Sequence, residues 1–138
     1  MAADKESVTL ILHSQDYDRA SYALSIALVA LSSGKDVHIL LTFGGLRRFI
    51  KDNIDKIGDE TSPDIGNSLK QMLQAGIFQP ITTQLANAKE MGLKLYACPN
   101  AMAALNIGLA DIVDEVDEVM GLAAFMNIAR SASVSWYI

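Results

Sequence analysis

Apolar residues run almost unbroken through Ser7-Val8-Thr9-Leu10-Ile11-Leu12-His13 and again through Val37-His38-Ile39-Leu40-Leu41-Thr42-Phe43. Runs of this kind, rich in β-branched and aliphatic side chains, predict strands buried on both faces, as in parallel sheets. Between them, Asp16–Ser33 is dominated by Ala and Leu, opens near two possible caps, Asp16 and Asp18, and stops at Gly34. That is the pattern of a helix closed by a glycine just past its end. The three segments make a β–α–β unit, for which a right-handed parallel crossover is the default.

The stretch from Phe43 to the next apolar strand at Leu93 is longer than one crossover helix requires. It predicts a helix over Leu46–Ile57 with Arg47, Arg48 and Lys51 on its wet side. A loop over Gly58–Asn67, rich in Asp, Ser, Pro and Gly, is the expected mobile segment. A short helix over Ser68–Gln74 ends at Gly76, and Pro80 opens another that runs to Met91 and stops at Gly92. Leu93–Ala97 reads as the third strand. Asn100–Ile107 reads as a helix capped by Asn100 and closed by Gly108. An acidic run follows (Asp111, Asp114, Glu115, Asp117, Glu118), which is a solvated face or a surface for a basic partner. A short strand over Glu118–Met120, a helix over Leu122–Arg130 opened by Gly121, and a strand over Ser133–Ile138 complete the chain. The order predicts one domain over residues 1–138: a three-layer α/β/α architecture with a mainly parallel five-stranded sheet.

Composition narrows the possibilities. The chain is 51% hydrophobic and 20% charged, enough apolar material to bury a sheet on both faces. A net charge of −5 with no broad basic stretch argues against nucleic acid as a partner. The longest apolar run, Tyr22–Leu31, is broken by Ser25 and is too short to span a bilayer. The charged start, Met1 to Glu6, lacks the shape of a signal peptide. A single cysteine has no internal disulfide partner and suits a reducing cytoplasm.

That cysteine, Cys98, follows the third strand and precedes a helix. A thiol at this junction faces helix amides that favour an anion. Open parallel sheets bind ligands at the carboxyl ends of their strands. Those ends carry His13-Ser14, Phe43-Gly44-Gly45, Cys98-Pro99 and Met120-Gly121, and backbone amides at the helix starts after Gly45, Asn100 and Gly121 could hold an anion. Cys98 is the candidate nucleophile and His13 a candidate proton donor. The glycines and Asn100 are candidate pocket residues, with backbone free to approach a ligand. His38, inside the second strand, reads as a satisfied imidazole. Two histidines and one cysteine without close spacing make no metal site, and no GxGxxG or GxxxxGK[ST] calls for a nucleotide, so no cofactor is expected.

Four blocks resemble the DsrE/DsrF-like family, in particular its sulfur-oxidation-related branch labelled peroxiredoxin-like. They are Thr42-Phe43-Gly44-Gly45-Leu46; Ala88-Lys89-Glu90-Met91-Gly92-Leu93-Lys94-Leu95-Tyr96-Ala97-Cys98; Met102, four residues past the cysteine; and Val119-Met120-Gly121-Leu122-Ala123-Ala124-Phe125-Met126. The chain departs from the branch at Pro99 and Asn100. The resemblance implies a five-stranded parallel sheet between helices and assembly into homotrimers or larger homo-oligomers. It also implies that Cys98 corresponds to a cysteine carrying sulfur as a persulfide or thiosulfonate, exchanged with a small sulfur-carrier protein or a polysulfur anion. The alternative is a non-catalytic homo-oligomeric binding module in which Cys98 only packs. A thiol-dependent reductase or peroxidase is disfavoured, because the chain holds no resolving cysteine.

Overall fold

The computed structural model describes residues 5–138, so the first four residues of the charged start lie outside the described part. The two apolar runs are strands β1 (Ser7–Leu12) and β2 (Asp36–Leu41). They pair in parallel from Ser7↔Asp36 to Leu12↔Leu41, flanking helix α1 (Tyr17–Ser32). Gly34 takes φ +82°, the left-handed turn anticipated after α1. Asp16 occupies the N-cap position, but its side chain makes no capping hydrogen bond.

The remaining elements are helices α2 (Gly44–Arg48), α3 (Pro63–Gln74) and α4 (Ile81–Glu90), strand β3 (Lys94–Ala97), helix α5 (Pro99–Leu105), strand β4 (Glu118–Val119), helix α6 (Leu122–Ala129) and strand β5 (Val134–Tyr137). A short 3₁₀ turn over Leu109–Asp111 precedes β4. The sheet order is β4-β3-β2-β1-β5, and every pairing is parallel. The first four strands are laid down successively to one side of β1, and β5 returns to the other side.

Alternation in β1 divides the two faces. Val8 and Trp136 lie against α1, while Thr9, Ile11 and Ser135 face α6. Val8, Leu10, Leu12, Ile39 and Leu41 are buried together with Ala20, Ala23, Leu24 and Ala27 of α1. The alanines let this helix lie close to the sheet, and each large aliphatic side chain buried this way contributes about 1.5–3 kcal/mol. The second face carries Phe125 of α6 edge-on to Tyr96 at 6.1 Å. His38 stacks on Tyr96 and hydrogen-bonds its hydroxyl at 2.8 Å, the satisfied imidazole expected from sequence.

Three expectations fail between β2 and β3. The Leu46–Ile57 helix stops at Arg48, and residues 49–55 form turns. Arg48 does not face water: its side chain is fully buried beneath that segment. It donates to the carbonyl oxygens of Gln15, Asn53 and Lys56 and to the carboxylate of Glu60, and its guanidinium lies 5.2 Å from the centre of the Tyr17 ring. The Gly58–Asn67 segment is correspondingly fastened rather than loose. Glu60 is ion-paired, the buried Thr61 hydroxyl accepts the Tyr17 N–H at 2.9 Å, and α3 already begins at Pro63.

Candidate functional site

Strands β1, β2 and β3 end side by side and are stitched together there. Cys98 N–H donates to Leu41 O at 3.0 Å, and Thr42 N–H donates to Leu12 O at 3.1 Å. His13 N–H donates to Ile138 O at 2.6 Å, which ties in the end of β5. The backbone thus carries the parallel hydrogen-bonding pattern one residue past the end of each strand. Cys98 is thereby held in a fixed place at the rim of the sheet, with 6% of its surface exposed.

Cys98 lines a cavity of about 260 Å³ with His13, Asn100, Phe43, Leu122 and Tyr137, floored by Ile11 and Leu40. Its lining holds no acidic side chain, lysine or arginine. The imidazole of His13 sits between two aromatic rings, 5.7 Å from Phe43 and 5.7 Å from Tyr137, nearly parallel to the latter. A soft, polarisable atom such as sulfur is well accommodated by such aromatic surroundings.

The glycines act from behind rather than as a lining. A Cβ on Gly44 would lie 2.6 Å from His13 O, and one on Gly45 would lie 2.1 Å from Leu12 O. Only glycine therefore lets the β2–α2 turn press against the end of β1, where Gly45 N–H donates to His13 O. The same close approach leaves Phe43 at φ +43° and ψ −112°, a conformation that L residues rarely adopt. It directs the half-exposed ring to the cavity mouth.

Two other expectations are corrected here. Asn100 does not cap its helix: Cys98 holds the N-cap position, without a side-chain capping bond, and Pro99 is the first helical residue. Gly108 does not close that helix, because Asn106 takes the left-handed position at φ +54°. Gly121 stands at the start of α6, one residue before Leu122, and does not itself line the cavity. Sequence reasoning missed Phe43, Tyr137 and Leu122 as cavity residues. The signal for Phe43 was its place directly before two glycines at a strand end. Tyr137 follows from β1–β5 pairing, which no local pattern reveals.

A five-stranded parallel sheet with helices on both faces and a lone cysteine held at its carboxyl edge defines an α/β protein with a thiol-centred cavity. The match to the DsrE/DsrF-like family model spans residues 6–134, and the chain belongs to that family. It is 26% identical to the uncharacterized protein YrkE of Bacillus subtilis, in an alignment spanning all of both chains. Among solved structures, the ychN protein of E. coli superposes with a TM-score of 0.68 at 14% identity, covering 98% of this chain and 100% of the other. A protein of unknown function from Methanobacterium thermoautotrophicum superposes with a TM-score of 0.59 at 14% identity, covering 96% and 99%. These structural likenesses define the shared fold. Among the described residues, no helix is long and apolar enough to cross a membrane.

Proposed function

We propose that this protein is a sulfur carrier of the cytoplasm, acting as a homo-oligomer, in which Cys98 holds a sulfane sulfur and passes it to an acceptor thiol. The observation that carries this reading is the placement of the chain's one thiol in a preformed aromatic cavity at the strand ends. The family's association with sulfur relay supports it. Cys98 thiolate attacks the outer sulfur of a donor persulfide or polysulfide; the donor S–S bond breaks and a new S–S bond forms at Cys98. The donor leaves as a thiolate that takes up a proton, and no external oxidant or reductant is consumed. Discharge is the same exchange in reverse, with an acceptor thiolate attacking the outer sulfur. With tetrathionate the thiolate attacks an inner sulfur, that S–S bond breaks, thiosulfate leaves, and Cys98 carries a thiosulfonate; with thiosulfate, attack on the outer sulfur expels sulfite and leaves the persulfide.

His13 borders the same cavity and is placed to give or take the proton of the departing or arriving thiol. Asn100 offers an amide at the cavity wall, while Gly44, Gly45 and Gly121 shape the turns that carry Phe43 and Leu122.

Intact-protein mass spectrometry after incubation with polysulfide, thiosulfate or tetrathionate tests this directly. The wild type gains a reductant-reversible sulfur adduct, and Cys98→Ser gains none while keeping its circular dichroism spectrum. A wild type that takes up no sulfur, with Cys98 resistant to alkylation in the folded state, overturns the reading in favour of a structural thiol.

A further inference from the structure

The cavity at Cys98 is built without a permanent charge. Ile11, Leu40, Phe43, Leu122 and Tyr137 give it apolar and aromatic walls, and its polar side chains are Thr42, Asn100 and His13. The arginines that the fold brings near are engaged elsewhere. Arg48, three residues past Gly45, is fully buried in its own knot and spends its guanidinium on Gln15, Asn53, Lys56 and Glu60. Arg19 lies beyond Tyr137 in the adjoining surface hollow, where Asp18 accompanies it and Asp16 pairs with it at 3.7 Å. The helix after Cys98 does not compensate a charge at the sulfur either. Cys98 stands at the N-cap of α5, yet its side chain makes no capping hydrogen bond, and Pro99 carries no N–H. Sites built for oxyanions set a guanidinium, an ammonium or converging N–H donors on them. This cavity holds neither lysine nor arginine, in a chain whose net charge is −5.

We infer that the cavity selects donors whose sulfane sulfur is flanked by uncharged groups, such as an organic trisulfide R–S–S–S–R, over the anions thiosulfate and tetrathionate. This names the donor class and rests on the sulfur-carrier reading above. An anion that enters an uncharged, largely apolar hollow loses hydration with no counter-ion to offset the loss. A trisulfide has little hydration to lose, and its polarisable sulfur chain gains contact with the aromatic rings that line the hollow. Cys98 thiolate attacks the central sulfur, one S–S bond breaks, and the departing alkanethiolate takes up a proton. Cys98 then bears an S–S–R group. An acceptor thiolate attacks the first sulfur of that group, expels Cys98 as the thiolate and leaves with the sulfane sulfur. No oxidant or reductant is consumed. Anionic donors react by the same exchange, more slowly.

Rates of Cys98 modification are measured on the folded chain and on the same chain unfolded in urea, at about pH 8, where imidazole side chains are ordinarily uncharged. Two reagent pairs are compared: iodoacetamide with iodoacetate, which differ in charge and hardly in size, and dimethyl trisulfide with tetrathionate. Dividing the folded rate by the unfolded rate cancels each reagent's own reactivity. The expected ratio is at least about tenfold higher for the uncharged member of each pair. Leu122→Lys, at a wall position that is 53% exposed, sets an ammonium beside the cavity and narrows both preferences at least about threefold. Equal ratios within the pairs, a preference for the anions, or preferences that Leu122→Lys leaves unchanged overturn the inference. So does a Cys98 that reacts with none of the four reagents, which overturns the carrier reading with it. A preference for the uncharged reagents, with no sulfur passed on to an added thiol, supports the cavity's selectivity and counts only against the carrier reading.

Discussion

Phe43 holds a conformation that costs about 1–3 kcal/mol for a residue with a side chain. Gly44 and Gly45 leave no room to relax it, since the turn they form lies directly against the end of β1. What the strain achieves is the position of the ring, beside His13 at the cavity mouth. Two truncations separate the ring from the backbone. Phe43→Ala and Phe43→Gly both remove the ring, but only glycine relieves the strained φ. The glycine variant is therefore expected to be more stable than the alanine variant by about 1 kcal/mol, the reverse of the usual order of these residues. Urea denaturation of both variants checks this; alanine more stable than glycine would mean that Phe43 is unstrained.

Helices and strands were legible in the sequence wherever apolar periodicity governs burial. Strands β1, β2 and β3 and the glycine stop of α1 follow from apolar runs such as Val8–Leu12 and Val37–Leu41, whereas the exposed edge strands β4 and β5 were marked by a short segment of the acidic run and by alternation over Ser133–Ile138. The segment after β2 was not legible, because its organising residue is a buried arginine, and charged side chains ordinarily read as solvent-facing. Arg48 replaces the missing helical hydrogen bonds of residues 49–56 by donating to Asn53 O and Lys56 O, and it ties Glu60 to the same point. Removing it strands those acceptors and a half-buried carboxylate. Arg48→Met is expected to lose about 3–5 kcal/mol in denaturant unfolding. Arg48→Lys is expected to recover little of that, since a single ammonium cannot replace the planar fork. A loss below about 1 kcal/mol would contradict this role.

The same knot gives the fold an acid limit. Burial disfavours the charge on Glu60, but the Gly58 amide, its own backbone and Arg48 outweigh it and hold the carboxyl below its ordinary 4.5. Burial also opposes the charge on Asp117, and is outweighed by Lys89 and the Leu95 N–H, which hold it below 3.8. Both folded values are depressed, so their stabilisation is fully present above the unfolded values and lost as pH falls through the folded ones. The melting temperature should therefore be insensitive to these two groups above about pH 5 and fall below it. Glu60→Gln should be less stable at neutral pH and lose less on acidification. An equal acid slope in wild type and variant would remove Glu60 from this account.

For the whole molecule, the strand ends that carry Cys98 and His13 were readable, and the walls of the cavity beside them were not. Cys98 and His13 fall at strand ends that the apolar runs mark out, and parallel topology brings those ends together. Tyr137 and Leu122 arrive from β5 and α6 only through the full strand order, a long-range outcome that no local pattern carries. The same strand order leaves β5 open at one edge and places the cavity beside its carboxyl end, where Tyr137 serves both sheet and site.

The most direct test of the central claim follows one sulfur through Cys98. Wild-type protein is loaded with polysulfide under anaerobic conditions, freed of donor, mixed with a reduced small-molecule thiol, and sampled by intact-protein mass spectrometry over time. The account predicts a single sulfur adduct that maps to Cys98 and disappears as the acceptor gains sulfane sulfur in equal amount. Failure of Cys98 to load, or an adduct that no thiol can discharge, would contradict it.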